Sequence, residues 1–71
     1  MIINLKVLCN GSFYIKVDDS ITVKELHEMI SEKIKTKKFY LRKENKKLLD
    51  MLDLNTYEFT QNDCVELVYI K

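Results

Sequence analysis

Residues able to do chemistry are sparse in this chain: one histidine, His27, two cysteines, Cys9 and Cys64, and eleven carboxylates in 71 residues. A nucleophilic side chain needs a base within reach and a third group to orient it. No Ser–His or Cys–His arrangement stands at a recognisable turn, and spacing gives His27 neither a carboxylate nor a cysteine partner. One histidine and two cysteines fall short of the four ligands of an ordinary zinc site, so no metal and no cofactor is expected. Gly11 is the single glycine, which excludes a glycine-rich phosphate loop. A chain of this size has little room for a pocket of the usual ~300–1,000 Å³. Neither an enzyme nor a small-molecule substrate is expected.

Such a length holds one small domain, here spanning 1–71, that buries only about 60% of the surface its unfolded chain exposes. Hydrophobic residues at 46% and charged residues at 32% suit a folded protein rather than a disordered one. No apolar run approaches the ~20 residues of a membrane helix, so no membrane is expected. The start alternates apolar residues with Asn4 and Lys6, unlike a signal peptide, so free thiols in cytoplasm or nucleus are the expectation.

The net charge is +1, but it is unevenly spread. Between Lys33 and Lys47 eight basic residues face a single acid, Glu44. Such a stretch is a solvated face, or it meets an acidic partner or a phosphate backbone.

Ile3, Leu5 and Val7 alternate with Asn4 and Lys6, and Phe13, Ile15 and Val17 alternate with Tyr14 and Lys16. Period two reads as two strands. Asn10-Gly11 between them is a strong short hairpin signal, in which both turn residues take positive φ. Thr22 and Glu25 form a capping box that opens a helix. Val23, Leu26, Ile30 and Ile34 then make a helical apolar stripe with Met29 at its edge. Phe39 and Leu41 mark a third strand, Glu44-Asn45-Lys46 a turn, and Leu48-Leu49 a short fourth strand. Asp53 to Tyr57 reads as a helical turn with Leu54 pointing in. Phe59 is a further anchor, and Val65, Leu67 and Tyr69 mark a last strand. The fold class is α+β, a mixed five-stranded sheet with one packed helix, its first and last strands central.

These residues, in this order, resemble the ubiquitin-like β-grasp family over essentially the whole chain. Met1-Ile2-Ile3 looks like its first strand, Ser20 to Ile30 like its Thr-capped helix start, Leu54 to Phe59 like its Leu-x-x-Tyr-x-Ile signature, and Val65 to Val68 like its last strand. The segment from Phe39 to Phe59 and the Glu66-to-Tyr69 ending resemble the small splicing-associated branch. That branch has an acidic residue before the helix-capping Thr to hold a partner's Arg, where this chain has Ile21. Bacterial tail-less relatives linked to specialised secretion are similar at the same coarse level. The sequence stops at Lys71 with no Gly-Gly, which conjugated members of the family need.

The resemblance implies a structural Tyr57, whose hydroxyl bonds nearby backbone. It also implies a partner-binding patch at Leu8, Tyr40 and Val68, three residues that alternation turns away from the helix. Glu66 takes the place of the family's histidine there, favouring a partner that carries Lys or Arg, with Arg42 and Lys6 on the same face. Non-covalent binding of one or more proteins through this face is the expected function. The alternatives are a conjugatable modifier, or a ubiquitin-like domain of a longer protein. Nucleic acid is a weaker expectation: Phe39 and Tyr40 interleave with the lysines of 33–47, as stacking requires, but the core claims Phe39. His27 reads as a boundary residue. Cys9 and Cys64, at opposite ends of neighbouring parallel strands, are too far apart for a disulfide.

Overall fold

The computed structural model describes residues 1–70; Lys71 lies outside the described residues. Two strands, β1 (Ile2–Cys9) and β2 (Gly11–Asp18), precede a helix, α1 (Val23–Ile34). Strands β3 (Phe39–Lys43), β4 (Lys46–Lys47) and β5 (Cys64–Tyr69) follow. They form one sheet in the order β2-β1-β5-β3-β4, with β1 and β5 parallel and the other pairs antiparallel. The first and last strands are thus interior strands of the sheet, as expected. Ile3, Leu5, Val7, Val65 and Leu67 turn one way and are buried against Val23, Leu26 and Ile30 of α1. This is the ubiquitin-like β-grasp that the sequence pattern implies.

The helix starts where its capping box predicts. Thr22 Oγ1 accepts from the Glu25 amide, and the Glu25 carboxylate accepts from the Thr22 amide, each at 3.2 Å. Two orphan amides of the first turn are satisfied in this way. Lys35, at φ 64°, ends the helix in the left-handed region. Ile34 is half-buried at the rim of the core.

The first hairpin departs from expectation. β1 and β2 pair with Val7 opposite Phe13, Leu5 opposite Ile15 and Ile3 opposite Val17, leaving Asn10 alone at the tip. Neither Asn10 nor Gly11 has positive φ, so the expected Asn-Gly turn is not formed. The reason is parity: a two-residue Asn10-Gly11 loop would set Val7 against Tyr14 and Leu5 against Lys16. That would carry Phe13, Ile15 and Val17 to the solvent face. The two-residue primed turn sits instead at Glu44 (φ 52°) and Asn45 (φ 66°), between the paired Lys43 and Lys46. That turn makes Lys46–Lys47 the fourth strand rather than Leu48-Leu49. Leu48 is buried just beyond it, its amide donating to the Leu41 carbonyl at 2.9 Å.

From Asp53 to Glu58 the chain forms overlapping turns, not a helix. Asp53 accepts from the amide and hydroxyl of Thr56, and Tyr57 and Glu58 amides bond back three residues. The Thr56 hydroxyl, then its amide, holds the Asp53 carboxyl below its ordinary range. Glu58, at φ 59°, closes the run, and Leu54 and Phe59 are buried as expected.

At the start of β1 the terminal amino group lies 3.1 Å from Asp19 and 3.5 Å from Asp18. The hydrogen bond that this amine donates to Asp19 is the main cause that raises it above its ordinary value of 8.0.

Two outcomes follow from these backbone facts. Gly11 has no positive φ, and a Cβ placed there meets nothing within 4 Å. Gly11→Ala is expected to leave the unfolding free energy from urea titration within about 0.5 kcal/mol of wild type, whereas Asn45→Val costs about 1–2 kcal/mol for a β-branched residue at positive φ. Because the folded amine has the raised pKa, its stabilisation is present below pH ~8 and lost as pH rises through the higher folded value. The free protein is therefore expected to exceed its Nα-acetylated form in urea midpoint at neutral pH, with the gap closing at pH ~10.

Candidate functional site

The face of the sheet opposite α1 carries the expected site residues. Residues opposed in register share a face. Leu8 is opposite Glu66, and Glu66 is opposite Arg42, so these three form one row across β1, β5 and β3. Arg42 is in turn opposite Lys47 of β4. In the next row Val68 is opposite Tyr40. On the other side of Leu8, Lys6 is opposite both Cys64 and Tyr14. Leu8, Tyr40, Val68, Glu66, Arg42 and Lys6 are therefore brought together, each half-buried.

The electrostatics differ from expectation. Arg42 Nη2 donates to Glu66 Oε2 at 2.7 Å. That hydrogen bond raises the Arg42 guanidinium above its ordinary value. Glu66 is thus satisfied within the chain and does not stand ready for a partner's Lys or Arg. The middle of the face is a cross-strand ion pair, with Leu8 on one side and the Tyr40–Val68 pair on the other. A third of each side chain remains exposed (33% and 37%), so the pair is screened and adds little stability. Arg42 Nε is buried without a partner. The Lys47 ammonium lies 5.3 Å from the Tyr40 ring centroid, within cation–π range.

The basic segment 33–47 does not form one continuous surface. Lys33 lies over Phe13 at 5.7 Å, Arg42 pairs with Glu66, and Lys43 turns to the helix side. Lys43 is the residue that composition missed. Its ammonium donates to the Tyr57 carbonyl at 2.7 Å, pairs with Asp63 at 3.3 Å and sits 4.4 Å over the Phe59 ring. Parity was the available signal: Phe39, Leu41 and Lys43 share the inward phase of β3. Tyr57 joins the same knot, its hydroxyl accepting from the Leu49 amide at 2.9 Å. The structural role expected of it is visible in that bond.

His27 stacks on Phe39, ring centroids 4.0 Å apart, and its Nε2 lies 2.9 Å from the Phe39 carbonyl oxygen. A carbonyl only accepts, so Nε2 carries the proton. This is a packing role that ties α1 to β3. A cleft of about 310 Å³ lies beside it, with Lys24, Lys37 and Asp50 at its rim. Cys64 is level with Lys6, three residues from Cys9, rather than at the far end of the ladder. Three residues still span about 10 Å of strand, and both thiols are free.

Neither a protein-family model nor a curated protein matches the sequence. Solved structures do match. The UBL domain of Plasmodium falciparum Dsk2 is 23% identical, with a TM-score of 0.87 over 97% of this chain and 99% of that one. Caldiarchaeum subterraneum ubiquitin is 14% identical, with a TM-score of 0.91 over 100% and 96%. A ubiquitin-like domain from Arabidopsis thaliana is 24% identical, with a TM-score of 0.90 over 99% and 79%. These likenesses show a ubiquitin-like β-grasp fold.

The knot around Lys43 generates a stability test. Tyr57→Phe is expected to cost about 0.5–1.5 kcal/mol for one lost hydrogen bond, and Lys43→Met about 1–3 kcal/mol, because a carbonyl and a carboxylate lose their donor. Urea denaturation checks both values.

Proposed function

We propose that this chain is a ubiquitin-like interaction module that holds a partner protein non-covalently on its outer sheet face. The observation that carries the reading is the convergence of Leu8, Val68 and Tyr40, from three strands, on a face where the core does not use them. Clustered apolar groups on a sheet mark contact surfaces, and tyrosine is a favoured anchor. Ubiquitin-like domains generally interact with proteins, in keeping with this reading. It makes the chain a non-enzymatic protein of cytoplasm or nucleus, where two unpaired cysteines are at home.

Tagged protein is used for capture from source cells, and the bound material is divided. One half is eluted under native conditions and the other after denaturation in detergent. Tyr40→Ala and Val68→Asp are expected to cut native recovery of the partner tenfold or more with the circular dichroism spectrum unchanged. Recovery unaffected by both substitutions would refute docking on this face. A partner that stays attached through denaturation would instead identify a covalent modifier.

A further inference from the structure

On the outer face, β2 plays no part in the docking just described. Tyr14 there is 54% exposed. It stands opposite Lys6, and Lys16, two residues on, stands opposite Asn4. Its remaining neighbour along the strand on this face is Ser12. No aliphatic side chain adjoins the phenol along β2; across the strands Leu8 stands opposite Ser12.

The charges of the face are unbalanced. Its two carboxylates are occupied by the chain's own cations: Glu66 by Arg42, and Asp18 by the terminal amino group. Among the described residues Lys6, Lys16 and Lys47 form no ion pair. Three ammonium groups without a carboxylate partner, Lys47 among them already lying over the Tyr40 ring, therefore share a surface with two tyrosines, Tyr14 on β2 and Tyr40 on β3. With β1 and β5 between them, the tyrosine-bearing strands are about 14 Å apart.

We propose that this face binds single-stranded nucleic acid, with bases stacked on Tyr14 and Tyr40 and phosphates held by Lys6, Lys16 and Lys47. A polyphosphate supplies the anions that the three lysines lack. Every base offers a π-face to a phenol, so such a platform tolerates sequence. The bases of a duplex are already stacked on one another and gain nothing here. The sequence alone argued against this ligand, since core burial of Phe39 left Tyr40 as the one free aromatic of the basic segment. The second aromatic comes from β2, outside that segment, and only the sheet brings the two onto one face. The inference shares Tyr40 and Lys6 with protein docking and is tested apart from it through Tyr14 and Lys16, which have no role in that reading.

The test is fluorescence anisotropy of a labelled oligothymidylate of about fifteen nucleotides, titrated with the whole chain in low salt, with a duplex of equal length as contrast. Saturable binding is expected at micromolar protein, weakening tenfold or more between about 25 and 200 mM NaCl. Tyr14→Ala is expected to weaken binding about fivefold or more, while Tyr14→Phe, which keeps the ring, retains it. Lys16→Ala is expected to reduce the salt slope by about 0.7. Circular dichroism confirms that each variant is folded. The proposal is overturned by an absence of saturable binding up to about 200 μM protein in low salt, where three phosphate contacts act at full strength. It is equally overturned if the duplex binds as well as the single strand, or if Tyr14→Ala and Tyr40→Ala both bind like wild type.

Discussion

The parallel pairing of β1 with β5 is the constraint on which the rest of this structure depends. It sets Val7 beside Val65 in the core and Leu8 beside Glu66 on the opposite face. Side chains alternate along a strand, so one register decides both faces together. A slip of one residue would bury Glu66 and expose Val65. The pairing also joins the two ends of the chain, a contact of high sequence separation whose loop-closure cost must be met before the contact stabilises anything. Backbone bonds from Lys6 to Asp63 and from Asn62 to Asn4 extend the attachment into the preceding loop, each at 2.9 Å.

That loop is as much a part of the core as the strands are. A domain of this size cannot afford a segment of sixteen residues that buries nothing. Between β4 and β5 the chain places Leu48, Leu54 and Phe59 in the interior. Lys43, Asp63 and the Tyr57 carbonyl and hydroxyl then tie its irregular backbone to β3 and to Leu49. Charge is used here where an aliphatic residue would leave the turn's polar groups without partners.

Local patterns in the sequence were enough to see the β-grasp. Alternation at Ile3-Leu5-Val7 and Phe13-Ile15-Val17, the Thr22–Glu25 box and the stripe of Val23, Leu26 and Ile30 each report a neighbourhood of a few residues. Misreadings arose where a local signal competed with a distant one. Asn10-Gly11 has the composition of a tight turn, but the need to bury Phe13 opposite Val7 overrides it. Glu44-Asn45 has a weaker composition and forms the tight turn because the β3–β4 pairing requires it. The Arg42–Glu66 pair spans 24 residues of sequence and exists only through the β3–β5 register. No local spacing announces it, and the charge expected of a partner at Glu66 was misjudged for that reason. Lys43 was legible by parity, yet a lysine in a basic run reads first as solvated.

The division of labour that results is simple in physical terms. Residues facing α1 hold the molecule together, and the proposed docking falls on residues facing away. Amide chemical-shift mapping of the ¹⁵N-labelled protein with its captured partner tests this division most directly. The account predicts that the largest changes fall on Leu8, Tyr40, Arg42, Glu66 and Val68, with the amides of α1 nearly unmoved. Perturbations concentrated on α1 or on the 53–63 loop, with the outer face silent, would contradict it.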